Sequence, residues 1–363
     1  MRYRMLGDTG MEVSVLTFGA MMLGELGGLD HDESVRIVHA ALDAGINIVD
    51  TANEYGGGES EVIVGKALAG ARRDHVILAT KGHYSVAHGA AHPYPPPNTT
   101  GNSRRNILHS CDASLRRLGT DWIDLYQIHY PDDRTSLDET LSALTDLVQA
   151  GKIRTFGASN FPAHLVIEGQ WVAQRHGLRR FTVEQFPYSI FVRWPERDLL
   201  PVLQRYRVGG LAYSPLNGGW LSGAYRAGQE QRTAFQAGRT PRRFDLTLPN
   251  VRQKLELVES LVGIADELGT TLLRLAVRWS IEHPAVASTV IGARTEQHLK
   301  ETLGAEDLDL PWEVLDRVDQ LVLPGTNVHA EESRWRTPYL HADRRRAGPQ
   351  GHPADDRGPC SAA

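Results

Sequence analysis

"FGAMMLGELGG", residues 18–28, closes the first apolar run of the chain and holds the glycines that decide between two α/β architectures. An open doubly wound sheet needs the spacing G-x-G-x-x-G directly after its first strand, so that backbone can approach a pyrophosphate. This stretch lacks that spacing. The pattern around it favours a closed barrel instead. Apolar runs of strand length at 14–20, 46–50, 76–81, 124–129, 154–159, 181–185, 209–213 and 286–292 alternate with segments of helical period. About eight βα units close a (β/α)8 TIM barrel, the fold expected here, with long loops at the carboxyl ends of its strands.

The helices between the runs have readable starts. "SLDE", from Ser136 to Glu139, has the form of a capping box, and Leu137, Leu141, Leu144 and Val148 follow on one face. An acid-led start at Asp30 precedes Val35, Val38 and Leu42. Ile107, Cys111, Leu115 and Leu118 share a face that stops at Gly119, which makes Cys111 a small core residue. Leu255, Val258, Val262, Ala265 and Leu268 form a further such face.

Three segments fall outside the repeat: a Pro-rich loop at 82–102, an irregular stretch rich in Arg and Gln at 224–250, and a small, polar tail. The expected organisation is one barrel domain over 1–341 and a disordered tail over 342–363. The chain has 363 residues, 23% charged and 41% hydrophobic, and no stretch apolar and long enough to span a bilayer. Its net charge of −5 and lack of an aromatic-laced basic stripe argue against nucleic acid as a partner. The opening "MRYRMLGDTG" has no apolar signal run, and the two cysteines make neither a disulfide framework nor a metal cluster, so a cytoplasmic location is expected. His83, His88 and His92 lie close together but without Cys or a supporting acid, and no metal site is expected.

A TIM barrel gathers its chemistry at the carboxyl ends of the strands. The final residues of the apolar runs are Asp50, Lys81, His129, Ser159 with Asn160, Gln185 and Tyr213. One polar strand end is ordinary; six in succession argue for a shared site. "VDTANEYGGGESE", residues 49–61, adds Tyr55 a short loop beyond Asp50. A free phenol, with a pKa of about 10, donates poorly at neutral pH until an ammonium stabilises its anion. Lys81 can supply that charge, Asp50 can hold Lys81 charged, and His129 can direct a substrate oxygen. A phenol beside an imidazole suits carbonyl reduction, in which hydride arrives at carbon while oxygen takes a proton.

Together with "ATK" (79–81), "LYQIHYPD" (125–132), "FGASNF" (156–161), "VEQFPYS" (183–189), "AYSPLNGGWLSG" (212–223) and "IGAR" (291–294), that stretch resembles the aldo-keto reductases. The likeness is to the long branch that includes bacterial reductases and potassium-channel β-subunits, and it runs from about residue 4 to residue 323. It implies an NADPH-dependent reductase of aldehydes or ketones with the tetrad Asp50, Tyr55, Lys81 and His129. It further implies that Ser159, Asn160 and Gln185 bind the nicotinamide carboxamide while Tyr213 stacks on the ring. Ser214, Leu216, Gly218 and Ser222 would wrap the pyrophosphate, Arg294 would meet the 2′-phosphate, and Ala20, Met21, Gly292, His298 and Glu301 would complete the cofactor site.

The chain also departs from that pattern. Ala224 stands where a phosphate-contacting lysine is common, with Arg239 as the candidate substitute, and His298 and Thr302 stand where Gln and Asn are common. Asn53 has no explanation at this level. Met22, His83, Tyr130 and Trp220 are the candidate substrate contacts, and "RWRTPYL" (334–340) is a candidate cover for the mouth. The alternatives are a reductase of nucleotide-linked keto sugars, a barrel isomerase acting on a sugar phosphate, and a slow-turnover cofactor-sensing subunit. The sensing subunit is disfavoured by His129, which its channel relatives replace. Oligomeric state and the physiological carbonyl are not legible.

Overall fold

Eight parallel strands close on themselves in the computed structural model, which describes residues 1–86, 95–228 and 241–332. His88, His92, Arg239, the 334–340 cluster and the 342–363 tail lie outside the described residues. The chain opens with β1 (Tyr3–Met5) and β2 (Glu12–Ser14), an antiparallel hairpin that the sequence pattern did not reveal. The barrel strands are β3 (Leu16–Gly19), β4 (Ile48–Asp50), β5 (Ile77–Gly82), β6 (Ile123–Ile128), β7 (Ile153–Ser159), β8 (Val183–Pro187), β9 (Gly209–Tyr213) and β10 (Val286–Ile291). β10 pairs with β3 and with β9, which completes the (β/α)8 ring. Each expected strand is present. The first is shorter than its apolar run, because Ser14 belongs to the hairpin.

The hairpin has a physical purpose. Leu6 and Val13, both fully buried, join Ile48, Ala79, Leu125, Val183, Leu211 and Ala287 in a separate apolar cluster inside the barrel. They seal its amino-terminal end, and the polar strand ends stand at the other.

The surrounding helices are α1 (His31–Asp43), α2 (Glu59–Ala67), α3 (Arg104–Leu118), α4 (Leu137–Gln149), α5 (Ala163–His176), α6 (Leu199–Tyr206), α7 (Pro249–Glu267), α8 (Leu272–Glu282), α9 (Glu296–Thr302) and α10 (Trp312–Leu321). Asp30 caps α1 by accepting from Glu33 N at 2.7 Å, and Gly119 ends α3 at a left-handed φ of 63°. Ser136 stands at the N-cap of α4 with an extended backbone, but its hydroxyl makes no capping bond, so the expected capping box does not form. The burial of the α4 face holds that helix without it. Cys111 is fully buried in α3, and burial pushes its thiol up to about 12.

Gly56, Gly57 and Gly58 all sit at positive φ (58°, 64° and 99°) in the turn that leads from Tyr55 into α2. Three consecutive left-handed residues admit little besides glycine, so "GGG" is what lets the chain take this path from Tyr55 into α2. Gly82 meets a different constraint: a Cβ there would overlap the Tyr126 hydroxyl and lie 2.9 Å from Tyr126 Cζ. Tyr126 is fully buried and cannot swing away. Gly82→Ala is therefore expected to cost about 1–3 kcal/mol of stability by overpacking next to Lys81. An unchanged urea midpoint in that variant would count against this packing.

Candidate active site

The strand ends place their polar groups in one water-poor cluster. Lys81 Nζ lies 2.6 Å from Asp50 Oδ2, donates to the Thr51 carbonyl at 2.9 Å, and reaches the Tyr55 hydroxyl at 3.3 Å. Lys81 is 0% exposed and Asp50 is 3% exposed, so neither charge has bulk water to solvate it. Their pairing compensates the desolvation that each suffers. The second carboxylate oxygen, Oδ1, accepts from both Gln127 Nε2 and Gln185 Nε2 at 3.0 Å. Gln127 was missed by sequence reasoning, although a polar residue inside the apolar run "DLYQIH", with the same inward parity as His129, was a usable signal.

His129 enters from the end of β6, its N–H bonded to the Gly82 carbonyl at 3.0 Å. Its ring meets the edge of Tyr55 at a centroid distance of 5.8 Å, so four residues spread over eighty positions converge at one rim. Asn53 now has a role: its N–H pairs with the Lys81 carbonyl at 3.0 Å, and its side chain donates to the Tyr84 carbonyl at 2.8 Å. It staples the loop that carries Tyr55 to the loop after β5.

The phenol does not titrate as the sequence suggested. Burial raises the Tyr55 pKa most; Lys81 opposes it, but Asp50 and Glu54 add to the rise, and the phenol stands above its ordinary value. The ammonium's field is largely spent on Asp50. For Lys81, burial works against the charge, yet Asp50 and Tyr55 outweigh it and keep the pKa above normal. The site thus holds a protonated phenol against a charged ammonium.

Beside this cluster, Asn160 sits at φ 64° with Nδ2 bonded to the His129 carbonyl (3.1 Å) and to Ser159 Oγ (3.0 Å), while its Oδ1 accepts from Tyr213 OH at 2.6 Å. Ser159 Oγ donates to the Gln185 carbonyl at 2.9 Å. Ser159, Asn160, Gln185 and Tyr213 therefore form one bonded group, as the strand-end pattern suggested. Behind it lies Glu184, which sequence reasoning missed despite the anomaly of an acid within the apolar run at 181–185. Its Oε1 accepts from the Phe161 N–H at 2.9 Å and its Oε2 has no partner. Burial drives this carboxyl well above its usual range, against the pull of the Phe161 and Asn160 N–H groups.

A pH-dependent outcome follows for Glu184. A carboxyl whose folded pKa is raised contributes fully below the unfolded value, near 4.3, and that contribution is lost as pH rises toward the folded value. Stability of Glu184→Gln relative to wild type should therefore improve between pH 5 and pH 8. Urea titrations at the two pH values check the sign. Glu184→Ala, which also leaves the Phe161 N–H unpaired, should cost about 1–3 kcal/mol.

The loop after β9 runs through Ser214 (φ 57°), Asn217 (φ 51°), Gly218 (φ 71°) and Gly219 (φ 105°). Leu216 is half-buried, and Ser222 Oγ donates to the Gly219 carbonyl at 2.6 Å. Under this loop, Lys254 Nζ lies 2.5 Å from Glu332 Oε1 and 2.9 Å from Asn217 Oδ1, and the Arg243 guanidinium binds the same Glu332 oxygen at 2.8 Å. Burial pushes Lys254 down to about 8 even so. Trp220 is 2% exposed and packs in a three-ring cluster with Tyr225 (4.7 Å) and Phe244 (5.4 Å), which also stack on each other at 5.2 Å, and its Nε1 is bonded to the Arg243 carbonyl. It packs the loop rather than lining an open mouth.

Ala20 is buried with its carbonyl bonded to Ser60 Oγ at 2.8 Å, while Met21 is 36% exposed and Met22 half-buried after β3. Gly292, Arg294, His298 and Glu301 are exposed just beyond β10. Thr302 is buried, its hydroxyl spent on the His298 carbonyl at 3.0 Å.

The wall above His129 is aromatic. Tyr84, absent from the sequence reading, lies 5.3 Å from the His129 ring and 4.6 Å from that of His83, and Tyr130 lies 6.5 Å from Tyr84. Asn102 ties this wall together, bonding His83 Nδ1 at 2.8 Å and the Tyr130 carbonyl at 3.0 Å.

A closed parallel barrel with a buried lysine–aspartate pair behind a phenol and an imidazole defines a class of barrel oxidoreductase. Residues 15–323 match the Aldo/keto reductase family, and the chain belongs to that family. It is 35% identical to an uncharacterised oxidoreductase of Bacillus subtilis, covering 92% of this chain and 99% of the relative. It is 32% identical to a Schizosaccharomyces pombe protein named as a voltage-gated potassium channel subunit beta, covering 88% and 93% of the two chains. It is 31% identical to the versiconal hemiacetal acetate reductase of Aspergillus parasiticus, covering 89% and 98%. No helix among the described residues is long and apolar enough to cross a membrane.

Proposed function

We propose that this protein is an NADPH-dependent reductase of aldehydes or ketones, with Tyr55 as the proton donor. The observation that carries the reading is the contact of Lys81 Nζ with both Asp50 Oδ2 (2.6 Å) and Tyr55 OH (3.3 Å) beneath the His129 ring. The donor set suits the nicotinamide nucleotide. Ser159, Asn160 and Gln185 present amide and hydroxyl groups to a carboxamide, and Tyr213 offers a ring face beside them. Gly218 and Gly219 carry no side chain where a pyrophosphate needs backbone N–H groups, and Ser214, Leu216 and Ser222 flank them. Arg294, with Gly292, His298 and Glu301 near it, suits the adenosine 2′-phosphate. Ala20 and Met21 close the side next to Asp50.

When bound, the dihydronicotinamide supplies hydride to the carbonyl carbon. His129 and Tyr55 hold the carbonyl oxygen between them. As negative charge develops on that oxygen, the phenol of Tyr55 donates its proton, and the nearby Lys81 ammonium stabilises the phenolate that remains. Asp50, fixed by Gln127 and Gln185, keeps Lys81 charged and aimed. Met22, His83 and Tyr130 are proposed to line the approach, with Tyr84.

The support is family membership, the oxidoreductase names among the relatives, and the bonded cluster. The test is loss of NADPH absorbance with 4-nitrobenzaldehyde, alongside binding of NADPH and NADH by protein fluorescence. Failure to bind either nucleotide rejects the reading; equal affinity for both rejects the assignment of Arg294.

A further inference from the structure

Glu184 has no part in the chemistry above, yet it is buried beside the turn that carries Asn160. β7 and β8 pair with Ala158 opposite Glu184 and Ser159 opposite Gln185. Side chains alternate along a strand, so Gln185 reaches inward to Asp50 and Glu184 points to the opposite face. The chain leaves β7 at Asn160, whose φ is 64°, and enters α5 shortly after. At that turn the Gln185 carbonyl already accepts from the Asn160 N–H and from Ser159 Oγ, both at 2.9 Å. The next donor along the chain, the Phe161 N–H, goes to Glu184 Oε1, also at 2.9 Å. Two successive N–H groups of the turn are thus held by two successive residues of β8.

Stability alone accounts for neither residue. Glycine would take the left-handed turn at less cost than Asn160. It would lack the amide that bonds the His129 carbonyl, Ser159 Oγ and the Tyr213 hydroxyl. Glu184 brings a second oxygen, Oε2, that is buried without a hydrogen-bond partner, and such a group weakens a fold. The ring of Phe161 is buried against Phe181 at 5.5 Å, so the bond to Glu184 ties the turn to the core on one side and to β8 on the other.

We propose that Glu184 is a positioning residue for the nicotinamide end of the cofactor site: by holding the Phe161 N–H it fixes the Asn160 turn, and with it the amide assigned to the carboxamide. The inference rests on the reductase reading above. In that reading the loops after β9 and β10 meet the phosphates and the adenosine, and neither loop includes this turn. A purely structural role would weaken both ends of the nucleotide alike; a positioning role weakens the nicotinamide end.

The experiment measures, by protein fluorescence, the Kd of NADPH and of 2′-phospho-ADP-ribose, which lacks the nicotinamide, in wild type and in three variants of Glu184. An unfolded fraction scales both apparent constants equally, so their ratio is the readout. Glu184→Met keeps the length of the side chain and removes the acceptor. It is expected to weaken NADPH about 10-fold while 2′-phospho-ADP-ribose stays within about 2-fold of wild type. Glu184→Asp withdraws the acceptor by one methylene and should move the ratio the same way by less; it decides the matter if the methionine variant does not fold. Glu184→Gln keeps the acceptor, and burial holds the native carboxyl above its usual range, so the neutral amide should retain the wild-type ratio. An unchanged ratio in Glu184→Met, or in Glu184→Asp where it stands alone, overturns the role of Glu184 and leaves the reductase reading intact. A ratio in Glu184→Gln displaced as far as in Glu184→Met does the same. Failure of wild type to bind NADPH overturns the reductase reading and this inference with it.

Discussion

Tyr55→Phe is expected to lower kcat/KM for NADPH-dependent reduction of 4-nitrobenzaldehyde by on the order of 10³-fold, the middle of the range for general acid catalysis. The variant removes one oxygen atom and keeps the ring that meets His129 edge-on at 5.8 Å. The only described bond it loses is the 3.3 Å contact with Lys81 Nζ, which keeps its stronger bonds to Asp50 and Thr51. Nucleotide affinity and unfolding midpoint should therefore stay close to wild type. The defect should fall on kcat more than on KM, because the proton moves only as the transition state forms. Matching rates in the two proteins would remove Tyr55 from the chemistry while leaving the barrel and the family untouched.

The second large effect is on stability. Lys81→Met removes an ammonium that is 0% exposed and leaves Asp50, 3% exposed, with only the two glutamine amides as partners. Breaking a buried pair from one side costs about 3–5 kcal/mol, because the surviving charge keeps its desolvation penalty without its partner. Asp50→Asn in the same background should return much of that loss, since a neutral amide can still bond Gln127 and Gln185. Urea unfolding of the two single variants and the double variant closes the cycle. A double variant as unstable as the sum of the singles would contradict the coupling that the 2.6 Å contact implies. Lys81→Met should also lose reductase activity, because the phenolate would lack its counter-charge.

Much of the barrel was legible because its cause is local and periodic. Each strand is an apolar run bounded by polar or turn residues, and each is found where the run lies. The hairpin at Tyr3–Met5 and Glu12–Ser14 was not legible, since three-residue strands leave almost no period to read, and the value of Leu6 and Val13 depends on the barrel end they plug. Ser136 shows the opposite error. Its motif promised a capping bond that the backbone does not use, because the packed face of α4 already fixes the helix.

The site was legible to the extent that strand ends share a mouth. Asp50, Lys81 and His129 end apolar runs, and Tyr55 follows within five residues. Gln127, Tyr84, Glu54 and Glu184 were not singled out. Each depends on which face of the strand or loop a side chain takes, and on what stands opposite, facts that belong to pairs of residues far apart in the chain. Gln127 matters because Lys81 is its neighbour in register, and Glu184 because the Asn160 turn lies over it.

The alternation of apolar runs and helical faces, a local property of the chain, was enough by itself to specify eight βα units and to put polar groups at their ends. Only the closed ring decided how charge is distributed there. Burial sets the titration of Tyr55 above its ordinary value against the ammonium beside it, Asp50 absorbs most of the field of Lys81, and Glu54 meets His129 across the mouth. Desolvation and Coulomb interaction depend on distances through space, and those distances exist only once the barrel has closed.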